Sequence, residues 1–218
     1  MTQAILLVGS AKPRGRSSSE ALGRALLGRL ANHGVGGVVV HAHVTITDTR
    51  YGLDVLEGCD LLVLATPLYF DALPAQVVEL LQRLVVHRAA ATAPPMALAT
   101  IINCGTPDAH QADAARAMCA LAAREARLDW RGALAFGQGE AISGQHPGRT
   151  GAEPHAESLE MAAAALARGN PIPREAIELA ARPLLSEARY ALVGNAGWLL
   201  RARRRGALLR MGARPLAE

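Results

Sequence analysis

The chain starts with a short apolar run, a loop rich in glycine and serine, and a helical pattern, in that order. The run covers residues 4–8, and the loop, residues 9–19, reads Gly-Ser-Ala-Lys-Pro-Arg-Gly-Arg-Ser-Ser-Ser. Small residues let the backbone turn sharply and approach an anion, and the next helix directs its free N–H groups and positive dipole end to the same place. This order of elements therefore predicts a phosphate site.

The serines of this loop also admit a second interpretation. Ser17 and Glu20 have the Ser-x-x-Glu spacing of a capping box, which specifies the start of the first helix independently of any ligand. The serines would then form only a polar turn and an N-cap. Both interpretations are open from this loop alone.

The composition excludes several classes of protein. Half of the 218 residues are hydrophobic and no proline-rich linker divides the chain, which predicts one domain with a tail. The three cysteines, Cys59, Cys104 and Cys119, form no Cys-x-x-Cys pair, so we expect neither disulfides nor a metal site. The sequence has no secretion-type leader and no run of about 18 apolar residues. We therefore expect a cytoplasmic location.

The net charge of +4 is unevenly distributed. Residues 190–218 carry six arginines and one glutamate, a charge of +5, and the other 17 basic and 18 acidic residues give −1. A nucleic-acid binder carries its basic excess on the folded domain, so we expect no nucleic-acid partner. Contact of the basic tail with an anionic membrane is one interpretation. We favour a docked terminal helix, because Arg203 falls near Leu199 on a helical wheel.

Strand-like runs alternate with helical patterns along the chain. The runs cover residues 4–8, 38–44, 61–65, 96–102 and 133–136, and the helical patterns cover 18–32, 74–87 and 109–128, with a weaker short helix at 47–58. Such alternation implies parallel strands joined by right-handed crossovers. It predicts an α/β fold with a doubly wound five-stranded parallel sheet in the order 2-1-3-4-5. Extra C-terminal helices are expected at residues 157–168, 174–187 and 190–214.

In a sheet of this order, ligands bind beyond the carboxyl ends of the strands, between the first and third strands. The loops at this edge are residues 9–19, 66–73 and 103–108. The second loop places Tyr69 and Phe70, two of the chain's five tyrosines and phenylalanines, beside the predicted phosphate site. A flat conjugated ring needs such an apolar wall to stack on. Alternatively, Tyr69 only covers the rim of the core.

The third loop contains a glycine and a cysteine. Gly105 lets the backbone approach a ring closely, with little bulk to obstruct it. Cys104 has no histidine at a recognisable partner position, so we interpret it as a small buried thiol and not as a nucleophile.

Taken together, the loops resemble those of a known family. Two motifs carry the resemblance: Gly-Ser followed by an arginine and spaced serines, and Thr-Pro-Leu-Tyr with a later Leu-Pro. With these motifs, residues 3–140 resemble the flavodoxin-like NAD(P)H-dependent FMN reductases. The resemblance implies non-covalent FMN, with Ser10, Arg14, Ser17 and Ser19 around its phosphate, Pro67, Leu68, Tyr69 and Phe70 along its isoalloxazine, and Cys104, Gly105 and Thr106 at the other edge. We add the neighbouring Arg16, Ser18 and Thr66 as candidate cofactor-binding residues.

The resemblance also implies a reaction. Members of this family pass reducing equivalents from NAD(P)H to quinones, free flavin or other small acceptors, often as homodimers, and the flavin itself carries the chemistry. We therefore expect no catalytic side chain, an FMN-binding domain at residues 1–140, and a loop plus helical extension of the same domain at 141–218. Two alternatives are an electron carrier that docks a redox partner and an FMN-free interaction module.

Two segments, the first loop and residues 138–155, differ from the regular pattern of the chain. The first loop is longer than the shortest family version, because Ala11-Lys12-Pro13 is interposed, and Thr106 stands where the family often has an aromatic residue. Residues 138–155 have the composition of a mobile loop, which either covers the flavin face or is an ordinary surface excursion.

Overall fold

A single parallel sheet organises the molecule. The computed structural model describes residues 2–47, 49–89, 95–139 and 153–213. The strands are β1 (Gln3–Val8), β2 (Gly36–His41), β3 (Leu61–Pro67), β4 (Ala97–Asn103) and β5 (Asp129–Phe136). They pair in parallel in the order β2-β1-β3-β4-β5. The predicted α/β class and strand order are confirmed.

Helices connect the strands and follow the last one. They are α1 (Ser18–Asn32), α2 (Ala42–Thr47), α3 (Thr49–Leu56), α4 (Ala75–Ala89), α5 (Asp113–Glu125), α6 (Glu153–Ala167), α7 (Arg174–Ala180) and α8 (Glu187–Arg204). Short 3-10 turns occur at Ala109–Ala112 and Leu208–Arg210.

Several boundaries differ from the sequence predictions. Strand β2 ends at His41 because α2 starts at Ala42, and the helix predicted at 47–58 is the pair α2 and α3. The pattern at 109–128 is a 3-10 turn followed by α5. Strand β5 begins four residues before the predicted 133, across a bulge in which Arg131 and Gly132 together oppose Ala99 and which interrupts the apolar pattern.

The two helices predicted nearest the C-terminus are also shorter than predicted. Helix α7 ends at Ala180, shortly before Pro183, since a proline disfavours helical backbone in the residue before it. Helix α8 ends at Arg204, where Gly206 takes a left-handed φ of 64° and terminates the helix. Of the arginines in the helix predicted at 190–214, Arg203 therefore lies on α8 and Arg210 lies beyond its end.

The apolar strands are buried on both faces. Along β1, Ile5 and Leu7 point to one face, and Leu6 and Val8 point to the other, as the two-residue period of a strand requires. Helices α3, α4 and α5 cover the first face, and α1, α6 and α7 cover the second. A sheet covered in this way offers ligands only its ends.

The chain forms two compact units. The first, Met1–Leu184, contains the sheet together with α6 and α7. Within it, Ile172 N–H donates to Arg131 O of β5 at 2.7 Å, and the ring of His155 on α6 packs edge-on against Phe136 with 5.0 Å between centroids. The division into an FMN-binding domain at 1–140 and an extension at 141–218 stays a prediction.

The second unit, Leu185–Glu218, contains α8. None of the 18 residues of α8 is buried, and Leu192, Trp198 and Leu200 are exposed beside its arginines. No helix in the described part of the chain is long and apolar enough to cross a membrane. Docking of the tail helix and contact with a membrane surface both stay predictions.

Candidate functional site

Three loops meet at the carboxyl edge of the sheet. Strand β3 lies between β1 and β4, so the loops that follow these strands are neighbours. Two backbone bonds fasten them at this edge: Gly9 N–H of the first loop donates to Ala65 O of β3 at 2.8 Å, and Leu68 N–H of the second loop donates to Asn103 O of the third at 2.9 Å. All fourteen candidate cofactor-binding residues therefore lie at one edge of the sheet.

The tip of the first loop is a fixed turn. Arg16 N–H donates to Pro13 O at 3.0 Å, and Gly15 has a φ of 74°, which glycine adopts without strain. Gly15 N–H donates to the Glu20 carboxylate at 2.6 Å. The loop is thus held at two points before any ligand binds.

Glu20 is a buried carboxylate that clamps this loop. Its side chain, 2% exposed, also forms an ion pair with Arg24 at 2.8 Å and lies 3.4 Å from His41 Nε2 at the end of β2. Burial alone would raise the pKa of Glu20, but its bonds to Gly15, Arg24 and His41 outweigh burial and lower the pKa below its ordinary value. Glu20 therefore stays charged to a lower pH than an ordinary glutamate does.

Only half of the predicted capping box forms. Ser17 Oγ accepts from Glu20 N–H at 3.0 Å, as predicted. The carboxylate of Glu20 does not return to the N–H of Ser17, because it is engaged by Gly15, Arg24 and His41. The sequence identified Glu20 as a helix cap, and the structure adds a role in positioning the loop.

The four candidate serines are all buried but use their hydroxyl groups differently. Ser18 Oγ donates to Gly139 O, and Ser19 Oγ donates to Asn103 Oδ1, both at 2.6 Å. The Oγ atoms of Ser10 and Ser17 instead accept backbone N–H groups. Because a hydroxyl has one hydrogen and a phosphate dianion only accepts, Ser10 and Ser17 are the serines that fit as phosphate donors among the described contacts.

The first loop is positively charged. Lys12, Arg14 and Arg16 are exposed, and no carboxylate in the described ranges pairs with any of them. Lys12, Pro13 and Arg16 line an open cavity of about 500 Å³. Together with the N-terminus of α1 and the hydroxyls of Ser10 and Ser17, these cations suit an anion such as phosphate.

The second loop presents an aromatic ring on a strained turn. Tyr69 and Ala72 exchange two backbone bonds of 2.9 and 3.1 Å across Phe70 and Asp71, whose φ values are 49° and 60°. These are the dihedral signs of a type I′ turn, which costs a non-glycine residue about 1–2 kcal/mol. Phe70 is fully exposed and Tyr69 is 45% exposed, so Phe70 gains no burial that offsets this strain.

The third loop leaves its backbone open on one side. Gly105 and Thr106 are exposed, and a Cβ added to Gly105 would meet no atom within 4 Å. The thiol of Cys104 is buried within the loop, where it contacts Thr106 O at 3.4 Å and Asp108 O at 3.5 Å. A ligand at this edge would therefore meet the backbone of the loop and not the Cys104 thiol.

The sequence prediction omitted Asn103, which links the three loops. Its Oδ1 accepts from Ser19 of the first loop, and its backbone O accepts from Leu68 of the second. A polar residue at the last position of an otherwise apolar β4 was a signal that could have identified it. Gln76 was also omitted, and its Nε2 donates to Gly9 O at 3.2 Å.

The segment predicted to be mobile is described only at its ends. Gln138 N–H donates to Thr106 O and Gly139 N–H donates to Cys104 O, both at 2.7 Å, so the chain after β5 is fastened to the third loop. Residues 140–152 lie outside the described residues, and whether the segment covers a ligand stays a prediction.

No protein-family model matches this sequence, and no curated protein matches it. Solved structures resemble it at 12% identity. A WrbA-like flavodoxin from Agrobacterium tumefaciens has a TM-score of 0.55 over 78% of this chain and 97% of its own. A proposed quinone reductase from Klebsiella pneumoniae has a TM-score of 0.55 over 79% and 88%. A flavone reductase has a TM-score of 0.54 over 78% of this chain and 66% of its own.

These likenesses define the fold of the molecule. The chain has a flavodoxin-like fold, and its resemblance to the flavodoxin-like FMN reductases is confirmed at the level of that fold. The site lies where such a sheet accommodates a ligand, at the switch point between β1 and β3.

Proposed function

We propose that this protein is an FMN-dependent oxidoreductase that passes reducing equivalents from NAD(P)H to a small acceptor such as a quinone or a free flavin. The observation that carries this proposal is Phe70, an exposed ring held on a strained turn at the same edge of the sheet as the positively charged first loop. Backbone strain of this kind persists at functional sites, where the surrounding structure maintains it. The similar quinone reductase and flavone reductase support the same class of reaction.

The first loop would bind the phosphate of FMN. Arg14, the hydroxyls of Ser10 and Ser17, and the N-terminus of α1 are its donors, and Glu20 holds the loop in place through Gly15. Each hydrogen bond to a charged phosphate contributes about 1.5–3 kcal/mol. A few such bonds account for retention of a non-covalent cofactor.

The second and third loops would position the ring system. The side chains of Tyr69 and Phe70 would offer a wall to one face, and the exposed third loop at Gly105 and Thr106, where Gly105 has no side chain in the way, would lie at the polar edge. When bound, FMN supplies the ability to accept and donate a hydride, so the protein contributes binding, orientation and access. The exposure of this edge leaves room for a nicotinamide and an acceptor in turn.

Two further features belong to the same proposal. We expect a homodimer, as the family resemblance implies, and light scattering of the purified protein would give its mass. We also expect a cytoplasmic location, where NAD(P)H is available and thiols such as Cys59 and Cys119 stay reduced.

The test is a flavin titration of the purified apoprotein. FMN should bind with a shifted visible spectrum, and anaerobic NADPH or NADH should bleach it; binding without bleaching would favour the electron carrier, and absence of binding would favour the interaction module. Ser17→Ala should weaken FMN about tenfold more than riboflavin, because only FMN has the phosphate. Ser18→Ala is the matched control, since Ser18 donates its hydrogen to Gly139 O and should affect both flavins equally. An equal loss of both flavins in Ser17→Ala would contradict the phosphate assignment.

A further inference from the structure

The first loop carries more positive charge than one phosphate requires. Lys12, the only lysine of the chain, and Arg14 and Arg16 lie within five residues. The phosphate of FMN carries about −1.5 to −2 charges near pH 7, and Arg14, the serine hydroxyls and the start of α1 already face it in the proposed function. Lys12 and Arg16 are not needed for the FMN phosphate, and they have no carboxylate partner in the part of the chain described here.

These two cations line the same open cavity. The described residues that line it are Lys12, Pro13 and Arg16, and the buried serines of the loop are not among them. The turn from Pro13 to Arg16 brings its ends within about 7 Å, so Lys12 and Arg16 approach the same space from either side of the turn. Glu20 fixes this geometry by holding Gly15 N–H at 2.6 Å.

The cavity is too large for an isolated phosphate. Its volume of about 500 Å³ falls in the range of sites for small organic ligands, roughly 300–1,000 Å³. An arginine and a lysine at its wall favour a phosphate monoester, and a guanidinium also stacks on a flat base. A nucleotide that carries a phosphate monoester satisfies both features.

We infer that Lys12 and Arg16 form a second anion subsite, which binds the 2′-phosphate of NADPH and makes the protein prefer NADPH to NADH. This inference rests on the proposed function, because it names the nicotinamide substrate of the same site. The two dinucleotides differ only by that phosphate. The preference therefore depends on cations that contact it.

The experiment is calorimetric binding of 2′,5′-ADP and of 5′-AMP, which lacks the 2′-phosphate, to the full-length protein as purified, at about 0.1 M salt. We expect 2′,5′-ADP to bind about fivefold or more tightly than 5′-AMP. Lys12→Ala should abolish most of that preference, and Lys12→Arg should retain it because the charge remains. Arg174→Ala is the matched control, since it removes one exposed charge from α7 and should leave the preference unchanged.

Three results would overturn the inference. They are equal affinity for the two nucleotides, an undiminished preference in Lys12→Ala, and inorganic phosphate that binds as tightly as 2′,5′-ADP. A failure of the proposed function is seen separately, in the flavin titration. A protein that binds FMN and is bleached equally by NADH and NADPH would refute only the inference. A protein that prefers 2′,5′-ADP but binds no flavin would refute the proposed function, and only an anion subsite at Lys12 and Arg16 would remain.

Discussion

The hydrogen bond from Ser19 to Asn103 should measurably stabilise the candidate site, whether or not a cofactor binds there. It joins the start of α1 to the end of β4 at 2.6 Å, and both side chains are buried. Ser19→Ala or Asn103→Ala removes one partner and leaves the other buried without it, at a cost of about 1–3 kcal/mol each. Since the double variant leaves neither group unpaired, its cost should fall short of the sum by about 1 kcal/mol.

The assay is urea unfolding of the four proteins of this double-mutant cycle, followed by circular dichroism. Each single variant should also lower the melting temperature by about 2–4 °C per kcal/mol of lost stability, the usual ratio for a chain of this length. The matched control combines Ser19→Ala with Asp60→Ala. Asp60 accepts the N–H groups of Thr2 and Gln3 at the opposite end of the sheet, so these two changes should be additive within about 0.5 kcal/mol.

A coupling between Ser19 and Asn103 that is no larger than that of the control pair would refute the reasoning. It would mean that the bond contributes nothing measurable to stability, and that other contacts, such as the bond from Ser18 Oγ to Gly139 O, hold this region together. A coupling of about 1 kcal/mol would show that Asn103 positions the first loop.

Three other predictions concern the second loop and the pH dependence of folding. Phe70→Gly should stabilise the protein by up to about 1 kcal/mol because glycine relieves the left-handed backbone, but it should weaken the binding of FMN and of riboflavin alike. Asp71→Gly is the control, because it relieves comparable strain and keeps the Phe70 ring. Equal flavin affinity in the two variants would contradict stacking on Phe70. Urea unfolding should become easier as the pH falls below about 6.5, because burial lowers the pKa of His155 in the folded state and the unfolded chain takes up that proton first; His155→Gln should flatten this decline. A second decline should begin near pH 4.5, since the bonds that outweigh burial lower the pKa of Glu20 in the folded state. Glu20→Gln should reduce this decline without removing it, because the N–H groups of Thr2 and Gln3 also lower the pKa of Asp60.

The sequence predicted best the strands that are buried on both faces. Strands β1, β3 and β4 are covered on both faces, so their residues form continuous apolar runs that are visible without any knowledge of the fold. Strand β2 has exposed residues at its start and a helix directly at its end, and Gly132 forms a bulge within β5. Their boundaries were wrong because local hydrophobicity does not report pairing with a neighbouring strand.

The same distinction applies within the site. Sequence placed all fourteen candidate residues on three loops, and the strand order put those loops together, because parallel strands direct their carboxyl ends to one edge. It did not reveal that Ser18 and Ser19 donate to Gly139 and Asn103, which lie 121 and 84 residues away along the chain.

The amino-acid sequence by itself determined the α/β class, the order of the strands and the position of a loop rich in glycine and serine at the start of α1. These follow from periodicity and from glycine and serine chemistry, which act over a few neighbouring residues. Only the tertiary structure decided which serine hydroxyls remain for a phosphate, that Glu20 clamps the loop, and that Phe70 stands exposed on a strained turn. Each of these depends on partners or space supplied by distant segments. The groups that the fold places beside a hydroxyl or a carboxylate decide which hydrogen bonds it forms.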